Sequence, residues 1–118
     1  MAKKAMPQVT NPSDAVLWCK KAAELMGEND NKGAVYCYEE SLKLRPAVPD
    51  VWFNLGCLFE KLGDKNAALG AFQTASKMFA ADFRFPAERA RILAGLGKYR
   101  EAVDSINAAL EVNPYSEL

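Results

Sequence analysis

The chain has 118 residues, and its 15 lysines and arginines balance its 15 aspartates and glutamates. Because a balanced charge gives no field that favours nucleic acid or a membrane surface, we expect neither as a partner. No stretch approaches the roughly 20 apolar residues of a membrane-spanning helix, and residues 1–10 lack the apolar run of a signal peptide. The three cysteines, odd in number and widely spaced, favour free thiols in a reducing cytoplasm.

The sequence also lacks the usual chemistry of an active site. It contains no histidine, which excludes imidazole-activated nucleophiles and removes the commonest metal ligand. Cys19, Cys37 and Cys57 do not have the spacing of a zinc or redox motif. Neighbouring carboxylates such as Glu39 and Glu40 diverge by about 100° on a helix, which is typical of a solvated face. We therefore expect a protein that is not an enzyme and that has no cofactor and no metal.

Turn residues divide the chain into six predicted helices. The segment 11–14 predicts the start of the first, with Pro12 in its first turn, and Gly27 signals its end after about Met26. The others are expected from 30 or 31 to 44, at 49–62 and 65–79, within 83–96, and at 98–112. Since the gaps between them are short, neighbouring helices should be antiparallel and form three hairpins.

A 34-residue self-similarity runs through these hairpins and predicts stacked helix pairs rather than one globule. Small residues recur at two places in each repeat: Ala22, Gly56 and Ala90 on the first helices, and Ala34, Ala68 and Ala102 on the second. Such residues would let helix axes approach to the short end of the usual range of about 8–10 Å. Large side chains such as Trp52, Phe59 and Phe72 would fill the space on either side.

These residues resemble the tetratricopeptide repeat family. The middle repeat has the expected residue types at Trp52, Leu55, Gly56, Phe59, Ala68, Phe72 and Ala75, whereas Lys21 in the first repeat and Pro86 and Arg89 in the third depart from the pattern. The resemblance implies an all-α solenoid of three antiparallel helix-turn-helix repeats, six helices in a right-handed superhelix. We assign an N-terminal segment to 1–12, one domain to 13–116 with repeats 15–48, 49–82 and 83–116, and a tail to 117–118.

The resemblance further implies a non-catalytic scaffold that binds a peptide or helix of a partner protein. In the family, an exposed stripe on each first helix contacts the ligand. Carried onto this chain, the stripe contains Val16, Cys19, Lys20, Ala23, Met26, Asp50, Phe53, Asn54, Cys57, Glu60, Arg84, Ala87, Glu88 and Arg91. We call this set the groove stripe. Its spacings of three and four residues place each part on one helical face.

Phe53 has two interpretations: an anchor for the partner, or a ring partly buried against a neighbouring helix. We expect an apolar contact near Phe53 and Val16 and acidic partner side chains near Arg84 and Arg91. Glu88 could neutralise both arginines on the helix surface, because it lies four and three residues from them. If the fifth helix begins only at Pro86, Arg84 lies on a loop instead of in the groove.

Some members of the family grip the acidic tails of heat-shock chaperones with a clamp of lysine, asparagine and arginine side chains. Asn54 and Arg84 match two positions of that clamp, whereas Cys19, Ala23 and Glu88 do not. A carboxylate clamp needs cationic or amide donors, so we do not expect one here.

The last predicted helix presents an apolar surface formed by Val103, Ile106 and Leu110. A solenoid normally ends on a polar outer face, and the family usually adds a further helix there. Three explanations stay open: a homodimer through this surface, a piece cut from a longer protein, or a surface left partly apolar. The alternative function is therefore a self-associating structural assembly module.

Overall fold

The computed structural model describes residues 6–112, and every regular element within them is an α-helix. These helices are α1 (Ala15–Gly27), α2 (Asn31–Leu44), α3 (Pro49–Lys61), α4 (Lys65–Met78), α5 (Arg84–Gly95) and α6 (Tyr99–Val112). The predicted all-α fold and the order of its helices are confirmed. The end of the third repeat and the 117–118 tail lie outside the described residues.

Aspartates cap the first, second and fourth helices. Asp14 accepts a hydrogen bond from the backbone amide two residues later at 2.9 Å. Asp30 and Asp64 each accept one from the amide three residues later, at 3.1 and 3.0 Å. Each carboxylate satisfies an amide that has no partner inside the helix, so the start of α1, α2 and α4 is fixed locally.

The two signals expected at the ends of α1 were wrong. Pro12 lies before the helix, and its carbonyl accepts the Trp18 indole N–H at 2.9 Å. Gly27 is still helical, and the chain turns instead at Asn29, with a φ of 60°. Asn29, Gly63 and Gly97 occupy equivalent positions of the 34-residue period, and all three have positive φ. Asparagine is one of the few residues besides glycine that visit this left-handed conformation, so it can end a helix in the same way.

The fifth helix begins at Arg84, so this arginine is helical rather than part of a loop. Pro86 lies in the first turn of α5. Proline is tolerated there because the amides of the first turn have no intrahelical acceptor in any case. Arg84 therefore stays in the groove stripe, because the helix does not begin as late as Pro86.

Packing follows the period: α1 pairs with α2, α3 with α4 and α5 with α6, and these hairpins join through α2–α3 and α4–α5. The molecule is elongated, with extents of 46 × 30 × 22 Å. The small residues expected at the helix contacts are buried in every repeat: Ala22, Gly56, Ala90, Ala34, Ala68 and Ala102. A β-carbon added to Gly56 would collide with the ring of Phe72, so this contact requires glycine.

Candidate functional site

The groove stripe is accessible along its whole length. Val16, Lys20, Ala23, Asp50, Ala87 and Arg91 are exposed, and Cys19, Met26, Phe53, Asn54, Cys57, Glu60, Arg84 and Glu88 are half-buried. By contrast, Trp18 and Leu55 on the same helices are buried in the core. The first helices α1, α3 and α5 thus turn one face inward and keep the stripe available to a ligand.

Phe53 lies at the centre of this stripe and has both properties that the sequence left open. Its ring packs on Phe72 of α4, with the ring centroids 6.1 Å apart, and the side chain is half-buried. The guanidinium carbon of Arg84 lies 5.1 Å from the centroid of the Phe53 ring. This is the distance of a cation–π contact, so the arginine from α5 partly covers the aromatic ring from α3.

Arg84 is held in place by two carboxylates. Its Nε and Nη2 donate to the two oxygens of Asp82, at 3.0 and 2.8 Å, and Nη2 also lies 3.1 Å from Asp50. These hydrogen bonds lower the pKa of Asp82 and raise the pKa of Arg84. Asp82 was not among the expected site residues, although its place two residues before a helical arginine was a usable signal. Its carboxylate also accepts the Arg84 backbone amide at 3.1 Å.

Arg91 joins α3 to α5 through a second pair of carboxylates. Its Nη1 and Nη2 donate to the two oxygens of Glu60 at 2.8 and 2.6 Å, and Nε donates to Glu88 at 3.0 Å. The hydrogen bond from Arg91 lowers the pKa of Glu60 despite an opposing effect of burial. Glu88 therefore neutralises Arg91, as expected. The expectation that it also neutralises Arg84 was wrong, because Asp82 and Asp50 take that position.

Three stripe residues bond to α2: Met26 and Cys19 of the first repeat and Asn54 of the middle repeat. The Asn54 amide donates to the Tyr38 hydroxyl at 3.3 Å, and that hydroxyl donates to the Met26 sulfur at 3.7 Å. Cys19 lies 3.0 Å from the Ser41 hydroxyl. Burial raises the pKa of Tyr38, which keeps its hydroxyl protonated and able to donate. Asn54 thus uses a donor within its own fold, which weakens its match to a carboxylate clamp.

The three thiols are free, as expected. Burial raises the pKa of Cys37 to about 11, and burial together with Glu88 and Glu60 raises the pKa of Cys57. A thiol with a raised pKa is a poor nucleophile and metal ligand. In residues 6–112 no cluster of cysteine and carboxylate side chains could hold a metal ion, and none of the helices described is long and apolar enough to cross a membrane.

Among the cavities on the surface of residues 6–112 are two of nearly equal volume that lie between helices. One of about 430 Å³ lies between α2 and α4 and has Trp52 and Phe59 among its lining residues. The other, of about 420 Å³, lies between α5 and α6 and is lined by Phe83, Ala87, Ala90, Arg91, Ala94, Ile106, Ala109 and Leu110. We call it the α5–α6 cavity. Two of the three residues expected at the apolar end of the chain, Ile106 and Leu110, line it, and Val103 is 53 % exposed beside them on α6.

The middle repeat has a surface equivalent to the α5–α6 cavity, and a helix of the next repeat covers it. Phe53 and Phe72 stand 34 residues before Ala87 and Ile106. In the middle repeat, Phe85 of the next helix packs on Phe72, with the centroids 6.3 Å apart. The α5–α6 cavity is therefore the place where a further helix would pack if the stacking continued.

Sequence profiles of known families match most of the described chain. A "TPR repeat" profile matches residues 24–63, and a "Tetratricopeptide repeat" profile matches residues 49–82 and 87–116. Among curated proteins, small glutamine-rich tetratricopeptide repeat-containing protein 2 of Mycosarcoma maydis is 28 % identical over 96 residues. The match covers 79 % of this chain but only 26 % of that relative.

Solved structures share the fold at low sequence identity. MamA superposes with a TM-score of 0.82 at 17 % identity, over 88 % of this chain and 61 % of that one. The Yersinia enterocolitica chaperone SycD, solved with a peptide of the translocator YopD, gives 0.75 at 18 % identity over 84 % and 76 %. The first repeat domain of Spaghetti (RPAP3), bound to an HSP90 peptide, gives 0.74 at 17 % identity over 93 % and 87 %. These likenesses establish the shared architecture.

Proposed function

Because this chain belongs to the tetratricopeptide repeat family, we propose that it is a non-catalytic scaffold that binds a peptide or helix of a partner protein along the groove stripe. The observation that carries the proposal is the half-exposed ring of Phe53, at the centre of a stripe in which no side chain is fully buried. Aromatic anchors of this kind supply much of the binding energy in protein interfaces. Two proteins of the same fold, SycD and RPAP3, were solved with bound peptides.

The ligand in this proposal is apolar at its anchor and is not acidic. Both groove arginines already contact two carboxylates each. Once Asp82 is included, carboxylates outnumber cations in the groove by one. An incoming acidic side chain would have to displace an internal ion pair, so the expectation of acidic groups at Arg84 and Arg91 receives no support from this geometry. The same saturation argues against a chaperone-tail clamp.

The proposal also includes the cellular compartment of the scaffold and the kind of partner that it binds. We place it in the cytoplasm, since three unpaired thiols suit a reducing compartment. Its partner is a protein rather than a nucleic acid or a membrane, because the charges of the chain balance.

A displayed library of random peptides tests the groove assignment even though the partner is unidentified. Phe53→Ala removes the proposed anchor, and Phe59→Ala is the matched control, since the same residue type on α3 lines the cavity between α2 and α4 instead. Peptides selected on the wild-type chain should bind Phe53→Ala about 30-fold more weakly, which corresponds to a hot spot of about 2 kcal/mol. They should bind Phe59→Ala at nearly wild-type strength.

Circular dichroism establishes that both variants are folded before binding is compared. Equal binding by folded Phe53→Ala and wild type would contradict the proposal, as would selected peptides rich in acidic residues. Loss of binding in Phe59→Ala alone would move the site to the other face of the molecule.

A second candidate function is self-association through α6, and a specific observation favours it. Val103 and Ile106 are 53 % and 43 % exposed, and Ile106 lines the α5–α6 cavity. Contiguous apolar surface of this kind marks interfaces in soluble proteins. Light scattering after size exclusion should give the mass of a homodimer, and the Val103→Lys, Leu110→Lys variant should be a monomer. A wild-type chain that stays monomeric at high concentration would contradict this function.

A further inference from the structure

Helix α6 carries two rows of side chains that differ in burial. The first, Ala102, Ser105 and Ala109, is buried. The second consists of Tyr99, Val103, Ile106 and Leu110, and the first three of these side chains are exposed. Their spacing of four, three and four residues places them in one row along the helix. We call this second row the α6 ridge.

The ridge stands beside a groove in which three small side chains of α5 lie together with Phe83 and Arg91. Ala87, Ala90 and Ala94 of α5 line the α5–α6 cavity, and Ile106 and Leu110 of the ridge form part of the same lining. A surface that carries a ridge of large side chains next to a groove of small ones can pack against its own copy about a two-fold axis. Each ridge then fills the other copy's groove, as Phe85 fills the corresponding surface of the middle repeat.

The one charged residue in the cavity lining does not oppose such a contact. Arg91 is bound by Glu60 and Glu88 of its own chain. Arg91 would therefore not bring an unpaired charge into the centre of the interface.

Two charges beside the ridge, Arg100 and Glu111, favour one relative direction of the two helices. Arg100 and Glu111 are both exposed, and at about 100° per residue both lie on the flank of the ridge away from the Ala102 row. They are separated by about three helical turns, Arg100 near the start of α6 and Glu111 near its end. In an antiparallel pair related by a two-fold axis, the same flank of both helices lies on the same side of the interface, and the start of one helix lies beside the end of the other. A parallel pair would bring the like ends together.

We infer that a second copy of this chain covers the α5–α6 cavity, with α6 packed antiparallel on α6 so that Arg100 meets the partner's Glu111 and the partner's Arg100 meets Glu111. The inference rests on the proposed self-association and adds its orientation and register. The two symmetric ion pairs lie at the rim, where charges set register and specificity more than affinity. The ridges supply the apolar contact at the centre.

Charge exchange in the full chain tests this arrangement. Arg100→Glu places a glutamate opposite the partner's Glu111 at both ends, and Glu111→Arg creates the corresponding arginine pairs. Each single variant should raise the dimer dissociation constant about tenfold, measured by analytical ultracentrifugation at low salt. The double variant, with both charges exchanged, should return to within about twofold of the wild type. Glu101→Arg is the matched control, because Glu101 is exposed on the side of α6 opposite the ridge, and it should leave the constant unchanged.

The outcomes separate the two proposals. A wild-type chain that remains a monomer overturns the self-association and this inference together. A dimer whose constant is unchanged in Arg100→Glu and Glu111→Arg, or is not restored in the double variant, overturns the antiparallel register and leaves self-association standing. Restoration by the double variant, which neither single change gives, supports the pairing of Arg100 with the partner's Glu111.

Discussion

Gly56 and Gly70 are both helical glycines, but replacement by alanine should change the stability in opposite directions. A β-carbon at Gly56 would collide with the ring of Phe72. That ring is fully buried and lies between Phe53 and Phe85, with centroid distances of 6.1 and 6.3 Å. It therefore has little freedom to move away. At Gly70, in the middle of α4, nothing lies within 4 Å of the added carbon.

The magnitudes follow from two competing effects. Alanine in place of glycine stabilises a helix interior by about 1 kcal/mol, and this effect acts at both positions. Overpacking a well-filled core costs about 1–3 kcal/mol, and the upper part of that range applies to Gly56 because the Phe72 ring is held on both sides. Gly56→Ala should thus be destabilising by about 1–2 kcal/mol, whereas Gly70→Ala should be stabilising by about 0.5–1 kcal/mol.

Urea denaturation followed by far-UV circular dichroism measures both changes under the same conditions. In thermal unfolding followed by the same signal, the melting temperatures of the two variants should differ by about 8 °C, since about 1 kcal/mol shifts the melting temperature of a domain of this size by about 4 °C. Equal stabilisation by both substitutions would refute the close approach of α3 to α4 at Gly56. Strong destabilisation by Gly70→Ala would show that the space around a β-carbon at Gly70 is not open.

Three further predictions concern single side chains. The hydrogen bond from Arg91 lowers the pKa of Glu60 from its ordinary value of 4.5, so this contact stabilises the fold above that value and the stabilisation is lost as the pH falls through the lowered pKa. The melting temperature of Glu60→Gln should therefore change less between about pH 6 and 3 than that of the wild type. An equal change in both proteins would contradict this. Asp64→Ala should lower the free energy of unfolding by about 1 kcal/mol through loss of the cap, while Asp64→Asn keeps it, and equal losses in urea would exclude a capping role. The Arg89 Nε is buried without a hydrogen-bond partner in the described structure. Arg89→Leu should therefore raise the urea midpoint of unfolding by an amount that corresponds to about 1 kcal/mol. A lowered midpoint would show that the Arg89 side chain makes a stabilising interaction.

The helices could be predicted from the sequence because their signals are local and repeated. Asp30 and Asp64 stand at equivalent positions of the period, and each caps its helix. The start of α5 was ambiguous for a local reason as well, since Pro86 fits either the first residue or the first turn of a helix. In the structure α5 begins at Arg84, and Phe85 in its first turn is buried in the core.

The electrostatics of the groove stripe could be predicted only in part, because two of its ion pairs, Arg91–Glu60 and Arg84–Asp50, join residues far apart in sequence. Arg91 and Glu60 are 31 residues apart and meet only when α5 packs beside α3. Arg84 likewise contacts Asp50 of α3 as well as its neighbour Asp82. Spacing within one helix identified Glu88 as a partner for both arginines. Arg84 is instead bound by Asp82, two residues before it, and by Asp50 of α3.

The groove stripe is the proposed ligand-binding surface, and the backbone amide shifts of the wild-type chain test this central claim directly. A peptide selected on the folded protein would be titrated into isotope-labelled chain, and the shifts would be followed by heteronuclear NMR. We predict changes concentrated on α1, α3 and α5, with Phe53, Asn54 and Cys57 among the strongest. Changes confined to α2 and α4 around the other cavity, or to α6 alone, would contradict the claim.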